Sequence, residues 1–204
     1  MQRQLVIPDS LDLASLGSGL PLFGPTEIRA VNPQRHEMEQ LSAVVAIDDE
    51  RMTAVGYKDL TTNDFWGDPA LTGCMPSPIG VEVAAQLAVF YLKWSKLLNT
   101  DADLGIGGLS NLRMLASFQA PCRLMIAVRV VDLDAPYSAR LEFQAEVNGT
   151  PVFAGDMLCI ALRRRAPESS KPKTAVADYA KSSVLVGASA GASSSNEYGS
   201  RIQI

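Results

Sequence analysis

The chain has 204 residues, 47% of them hydrophobic, and a formal net charge of -4 at pH 7 with a pI near 5.0. That length and apolar content suffice for one sizeable core, and the acidic balance provides no broad positive field of the kind that draws nucleic acid or anionic membranes. Neither an apolar run of about 18 residues nor a basic leader followed by an apolar one is present, so no membrane span or signal peptide is expected and a cytoplasmic location is predicted.

Residues 1–24 mix Gly, Ser, Leu and Pro without a period and read as an extended arm, whose apolar members such as Leu5, Ile7, Leu13 and Leu16 argue against free solvation. Pro25-Thr26-Glu27-Ile28 opens a short helix, with an acidic residue near the positive end of the dipole, and Pro33 stops it. Strand-like runs at 41–47 and 52–59 flank the polar turn Asp48-Asp49-Glu50-Arg51, a first hairpin. A long apolar segment at 78–98 follows, and further strand runs lie near 111–119, 124–133, 139–147 and 151–162. The clearest is Ala139–Val147, where apolar residues alternate with Arg, Glu and Gln, and Asn148-Gly149 after it is the pair favoured in a tight type I′ turn. Gly105-Ile106-Gly107-Gly108 lacks the dinucleotide-binding fingerprint and reads as a flexible turn.

Arg163-Arg164-Arg165 reads either as a solvated domain end or as a grip for an acidic partner such as a carrier protein. Beyond it, residues 166–204 turn to Ala, Ser, Gly, Lys and Pro, a composition that buries too little apolar surface to offset its ordering entropy, so a flexible low-complexity tail is expected. Two strands, one long helix and four strands give an α+β fold, an antiparallel sheet packed on a central helix, within residues 25–165. The three cysteines, Cys74, Cys122 and Cys159, are odd in number and far apart, which fits reduced core thiols. With a single His and no paired cysteines, no metal site and no cofactor are expected.

The helix itself is the most informative segment. Ser77 is a good cap and Pro78 is tolerated at the first helical position, where its missing N–H had no intrahelical partner. The first four turns are apolar almost all round, so the sheet should wrap this helix. Only Glu82 and Gln86 are strongly polar there, and their i,i+4 spacing stacks them on one face. A carboxylate in such surroundings must be paired, hydrogen-bonded, protonated or facing a pocket. Glu82 is therefore either a structural residue, facing water through a groove or hydrogen-bonded to Gln86 in the core, or an active-site acid.

The flanking residues favour the second. Phe65-Trp66-Gly67-Asp68-Pro69, then Met75-Pro76-Ser77-Pro78-Ile79-Gly80-Val81-Glu82-Val83-Ala84-Ala85-Gln86, resembles the signature of 3-hydroxyacyl-acyl carrier protein dehydratases, F-x-G-H-F-P-G-x-P-x-M-P-G-V-L-x-x-E-A-x-A-Q. Counted from Met75-Pro76, Glu82 falls on the family's catalytic acid and Gln86 on the polar residue one turn later. Asn32-Pro33-Gln34-Arg35, Val55–Asp59, Gly107–Arg113 and Ala154–Cys159 extend the similarity over about residues 25–162. The resemblance implies a hot-dog fold, a curved antiparallel sheet around one central helix, in subunits that join sheets and build active sites across a dimer interface. It also implies a division of labour, in which His takes the proton from the α-carbon, the acid handles the hydroxyl, and backbone N–H groups at the helix start polarise the thioester carbonyl. Met75, Pro76, Ser77, Gly67 and Gln86 would then line the substrate site, with Glu82 and Asp68 as the catalytic pair.

Three departures matter. Asp68 stands where the family has His, Gln34 replaces another family His, and Ser77-Pro78 replaces Gly-Val. An ordinary aspartate, with a pKa of about 3.9, is a weak base unless an apolar tunnel or a neighbouring carboxylate raises it. His36, the sole histidine, lies upstream beside Glu37 and Glu39, as a surface residue would. The expectation is thus a dehydratase-like protein of fatty-acid or polyketide metabolism that takes acyl carrier protein or acyl-CoA thioesters, either active or a non-catalytic subunit beside a His-bearing paralogue. It would be a homodimer, a heterodimer with a related hot-dog subunit, or a higher oligomer, with no nucleic acid partner. Two alternatives stay open: a hot-dog thioesterase using Asp68 and Glu82, since Trp66-Gly67-Asp68 resembles one thioesterase group's W-G-D opening, and a non-enzymatic acyl or carrier-protein binder.

Overall fold

The computed structural model describes residues 13–66, 75–99 and 101–162. In chain order they form α1 (Leu13–Gly17), α2 (Pro25–Val31), a single 3-10 turn (His36–Met38), β1 (Ala43–Asp48), β2 (Thr53–Leu60), α3 (Ser77–Trp94), β3 (Asp103–Met114), β4 (Cys122–Asp134), β5 (Ser138–Val147) and β6 (Thr150–Leu162). The six strands make one antiparallel sheet in the order β1-β2-β4-β5-β6-β3, curved around α3. This is the hot-dog fold, α+β, with the element order that the sequence implied.

Along α3 the apolar residues reach full burial. Val83, Ala84, Leu87, Ala88, Phe90 and Leu92 all have 0% exposure, and the inner faces of β4, β5 and β6 meet them with Ile126, Leu141, Phe143 and Phe153. Each of the Val, Leu, Ile and Phe side chains contributes about 1.5–3 kcal/mol when withdrawn fully from water. Gly80 permits the closest approach, because a Cβ there would lie 2.8 Å from the Phe153 ring. The helix ends at Trp94, short of the expected 98, because Lys96 takes a left-handed φ of 54° and the Leu97 N–H turns back to the Leu92 carbonyl at 3.0 Å. Ser77 does not cap. Pro76, at φ -59° and ψ 136°, holds the cap position without a side-chain bond, and Ser77 and Pro78 are the first helical residues.

Strand β3 corrects the sequence reading. The segment Gly105-Ile106-Gly107-Gly108 is not a turn but part of this strand, which begins at Asp103 and pairs with β6. Its glycines suit close neighbours, since a Cβ on Gly105 would lie 2.9 Å from Leu162 and one on Gly107 3.1 Å from Ile160. The β5–β6 hairpin forms as expected, with Asn148 and Gly149 at φ 51° and 74°, the left-handed pair that a type I′ turn requires.

The segment read as an extended arm contains helix α1 within its described part. Leu13 is buried with Val45, Val55, Tyr57, Met125 and Ala127 in a second cluster, so α1 covers the sheet's outer face over β1, β2 and β4. Arg123 fixes this cover. Its Nη1 donates to the Gly17 carbonyl at 2.5 Å, its Nε and Nη2 donate to Asp59, and its guanidinium sits 3.8 Å above the Tyr57 ring. Residues 163–204, with the basic run and the tail, lie outside the described residues.

Candidate active site

Glu82 is the one charged side chain in the first four turns of α3, and it is half-buried. Its Oε1 accepts two amide N–H groups, from Gln86 Nε2 at 2.8 Å and from Gln34 Nε2 at 3.1 Å. The first bond is the i,i+4 contact that the helix spacing implies. The second comes from the loop between α2 and β1, 48 residues away in sequence.

Gln86, 1% exposed, organises that loop. Its Oε1 accepts the backbone N–H groups of Gln40 and Leu41 at 2.9 and 3.0 Å, while Nε2 donates to the Met38 carbonyl at 2.7 Å as well as to Glu82. Because two backbone donors face the oxygen end, the orientation of the carboxamide is forced, and its amino end must point at Glu82. Asn32 adds a further tie, donating from Nδ2 to the Gln86 carbonyl at 2.9 Å. The loop is clamped from outside by Arg35, whose guanidinium donates to the carbonyls of Asn32, Gln34 and Arg29. A bidentate Arg29–Glu39 pair at 2.7 and 2.6 Å lies beside it, and the hydrogen bond from Arg29 holds the Glu39 carboxyl below its ordinary value.

The other expected site residues divide into three groups. Met75 is buried, with its methyl carbon 3.0 Å from where a Gly80 Cβ would stand, while Pro76 and Ser77 are exposed at the start of α3. Gly67 and Asp68 lie outside the described residues, as does Cys74. Gln86, expected to bind substrate, makes four hydrogen bonds within the chain, to Gln40, Leu41, Met38 and Glu82. His36 is exposed on the 3-10 turn at a φ of 59°. The sequence reading picked out Asn32-Pro33-Gln34-Arg35 by resemblance but did not join Asn32, Gln34 or Gln40 to Glu82 and Gln86, which lie 46–54 residues away.

A small crevice flanks the α2–β1 loop. The crevice lined by Asn32, Gln34, Glu39 and Gln86 holds about 20 Å³, room for roughly one water molecule and not for an acyl chain. At the β3 edge Ile106, Leu109, Leu112 and Met114 are 39, 47, 45 and 51% exposed. Between Leu104 and Leu112 this edge carries no charged residue and no proline, the usual devices that stop a strand from pairing. Among the described residues no group of three or more His, Cys, Asp or Glu is placed to hold a metal ion, and no helix is long and apolar enough to cross a membrane.

No family model matches the sequence, and neither does any curated protein. Solved structures do match the fold. A dehydratase heterocomplex from Xenorhabdus doucetiae, ApeI:P, superposes with a TM-score of 0.57 at 17% identity, covering 72% of this chain and 93% of that one. A sigma28-regulated virulence protein from Campylobacter jejuni superposes at 0.52 with 14% identity, over 71% of this chain and 97% of the other. The chain is thus a hot-dog-fold protein. At these identities the likeness establishes the fold and not the dehydratase family in particular.

Proposed function

We propose that this protein is a dehydratase-like hot-dog subunit that binds 3-hydroxyacyl thioesters of acyl carrier protein or coenzyme A, with Glu82 as the group that meets the hydroxyl. The observation that carries this reading is the carboxylate itself. It is a lone acid on a helix buried by the sheet, with one oxygen held by two amides and no described group bonded to the other. In the elimination, a base removes a proton from the carbon next to the thioester carbonyl, Glu82 in its carboxylic-acid form gives its proton to the 3-hydroxyl as the C3–O bond breaks, a 2-enoyl thioester and water leave, and the proton on the base returns to Glu82 through solvent.

The base is the unfilled role. His36 is exposed on the 3-10 turn, and Asp68, in the family's His position, is a weak base in ordinary surroundings. We therefore assign the imidazole to a second hot-dog subunit paired along β3, which would also close a tunnel over Ile106, Leu109 and Met114. That a similar fold occurs in a dehydratase heterocomplex supports this arrangement. The deciding experiment mixes the protein with a 3-hydroxyacyl carrier protein, alone and with a His-bearing paralogue, and follows the 2-enoyl product. The reading expects turnover that Glu82→Gln abolishes. Release of free thiol instead, lost in Asp68→Asn, would replace it with a thioesterase, and acyl binding without either product would replace it with a binding protein.

A further inference from the structure

Gln34 is bonded at one end only. Its Nε2 donates to Glu82 Oε1 at 3.1 Å, while its own Oε1 meets no protein donor. A methionine of similar size would fill the same space, so packing alone does not call for an amide here. What only the amide supplies is the N–H aimed at Glu82.

The second bond changes what the carboxylate can do. Gln86 alone fixes the position of Oε1 but leaves rotation about the terminal torsion, which is broad and roughly two-fold for glutamate. A second donor on the same oxygen, arriving from a different element, removes that freedom. Both donors converge on Oε1, so Oε2 is turned away from the loop. The backbone that carries Gln34 is itself tied down on two sides, to α3 through Asn32 Nδ2 and the Gln86 carbonyl, and to α2 through Arg35, which bonds the Asn32, Gln34 and Arg29 carbonyls at 2.7, 2.6 and 3.1 Å.

We propose that Gln34 is a positioning residue for Glu82, selecting the carboxylate orientation that presents Oε2 to the ligand. The inference deepens the dehydratase-like reading and rests on Glu82 being the group that meets substrate. It assigns the α2–β1 loop a functional task beyond closing that side of the fold.

The test uses the full chain with Gln34→Met, which keeps volume and removes the donor, and Gln34→Glu, which keeps shape and places an acceptor where the donor was. High-resolution crystal structures of wild type and Gln34→Met read the geometry without reference to activity. The expected result is a single carboxylate orientation in wild type, and a rotated or split one in Gln34→Met with the Gln86 bonds to Gln40, Leu41 and Met38 unchanged. An identical, single orientation in Gln34→Met overturns the proposal. In the turnover assay with the His-bearing partner, both variants are expected to lose at least tenfold in kcat with KM within about twofold, the split that follows when an orientation and not a binding contact is removed. Equal kcat in wild type and variants also overturns it. Absence of turnover and acyl binding in the wild type would count against the dehydratase-like reading, and the crystallographic comparison would still decide the role of Gln34.

Discussion

The two edges of the sheet are built on opposite plans. On the β1 side, Phe23 bridges to Val44, the strand is broken by a bulge between Val44 and Ala46, and α1 covers the adjoining outer face. The loop from Asn32 to Leu41 docks beside it on the amides of Gln86. On the β3 side a strand of 12 residues runs open, with apolar side chains from Ile106 to Met114 exposed. Among the described residues one edge is covered by the chain itself and the other is exposed. The Glu82 carboxylate is held from the covered side, by Gln34 and Gln86.

The largest effect that would test the covered side is Gln86→Leu. It removes the acceptor shared by the Gln40 and Leu41 N–H groups and the donor to Met38, leaving buried backbone groups unpaired. A loss of roughly 2–5 kcal/mol is expected in urea unfolding. A loss below about 1 kcal/mol would mean that the loop is held by other means. Next comes the outer cover: Leu13→Ala, at a side chain 2% exposed, is expected to cost about 2 kcal/mol, since the short α1 can partly collapse onto the vacated space.

The open edge should respond in the reverse sense. Leu109→Glu is expected to change the stability of the monomer by no more than about 0.5 kcal/mol while abolishing association, as read by light scattering behind size exclusion. Unchanged association would remove β3 from the interface. A further effect is confined to alkaline pH. Burial pushes the Cys159 thiol from 9.0 up to about 12. A folded-state value raised above the unfolded one gives stability that is present below about pH 9 and lost as pH rises toward 12. Cys159→Ala should flatten that part of the stability curve, and an unaltered slope would contradict the assigned cause.

Much of the fold was legible because its signals are local. The alternation of Ala139–Val147, the Asn148-Gly149 pair and the apolar texture of α3 each report their own structure. The start of β3 was not legible: four residues with three glycines read as a turn, and only pairing with β6, more than 40 residues later, makes them a strand. Helix spacing was enough to pair Glu82 with Gln86. It was blind to Gln34, Asn32 and Gln40, whose contacts with α3 span 46–54 residues of sequence. Ser77 was misread as a cap because Pro76 occupies that position with backbone angles that sequence does not announce.

The most direct measurement is a structure of the assembled protein with a 3-hydroxyacyl pantetheine thioester bound. The account predicts the 3-hydroxyl within hydrogen-bond distance of Glu82 Oε2, the tail running beneath β3 of a second subunit, and an imidazole from that subunit beside the carbon next to the carbonyl. A ligand seated away from Glu82, or an assembly that leaves β3 uncovered, would contradict it.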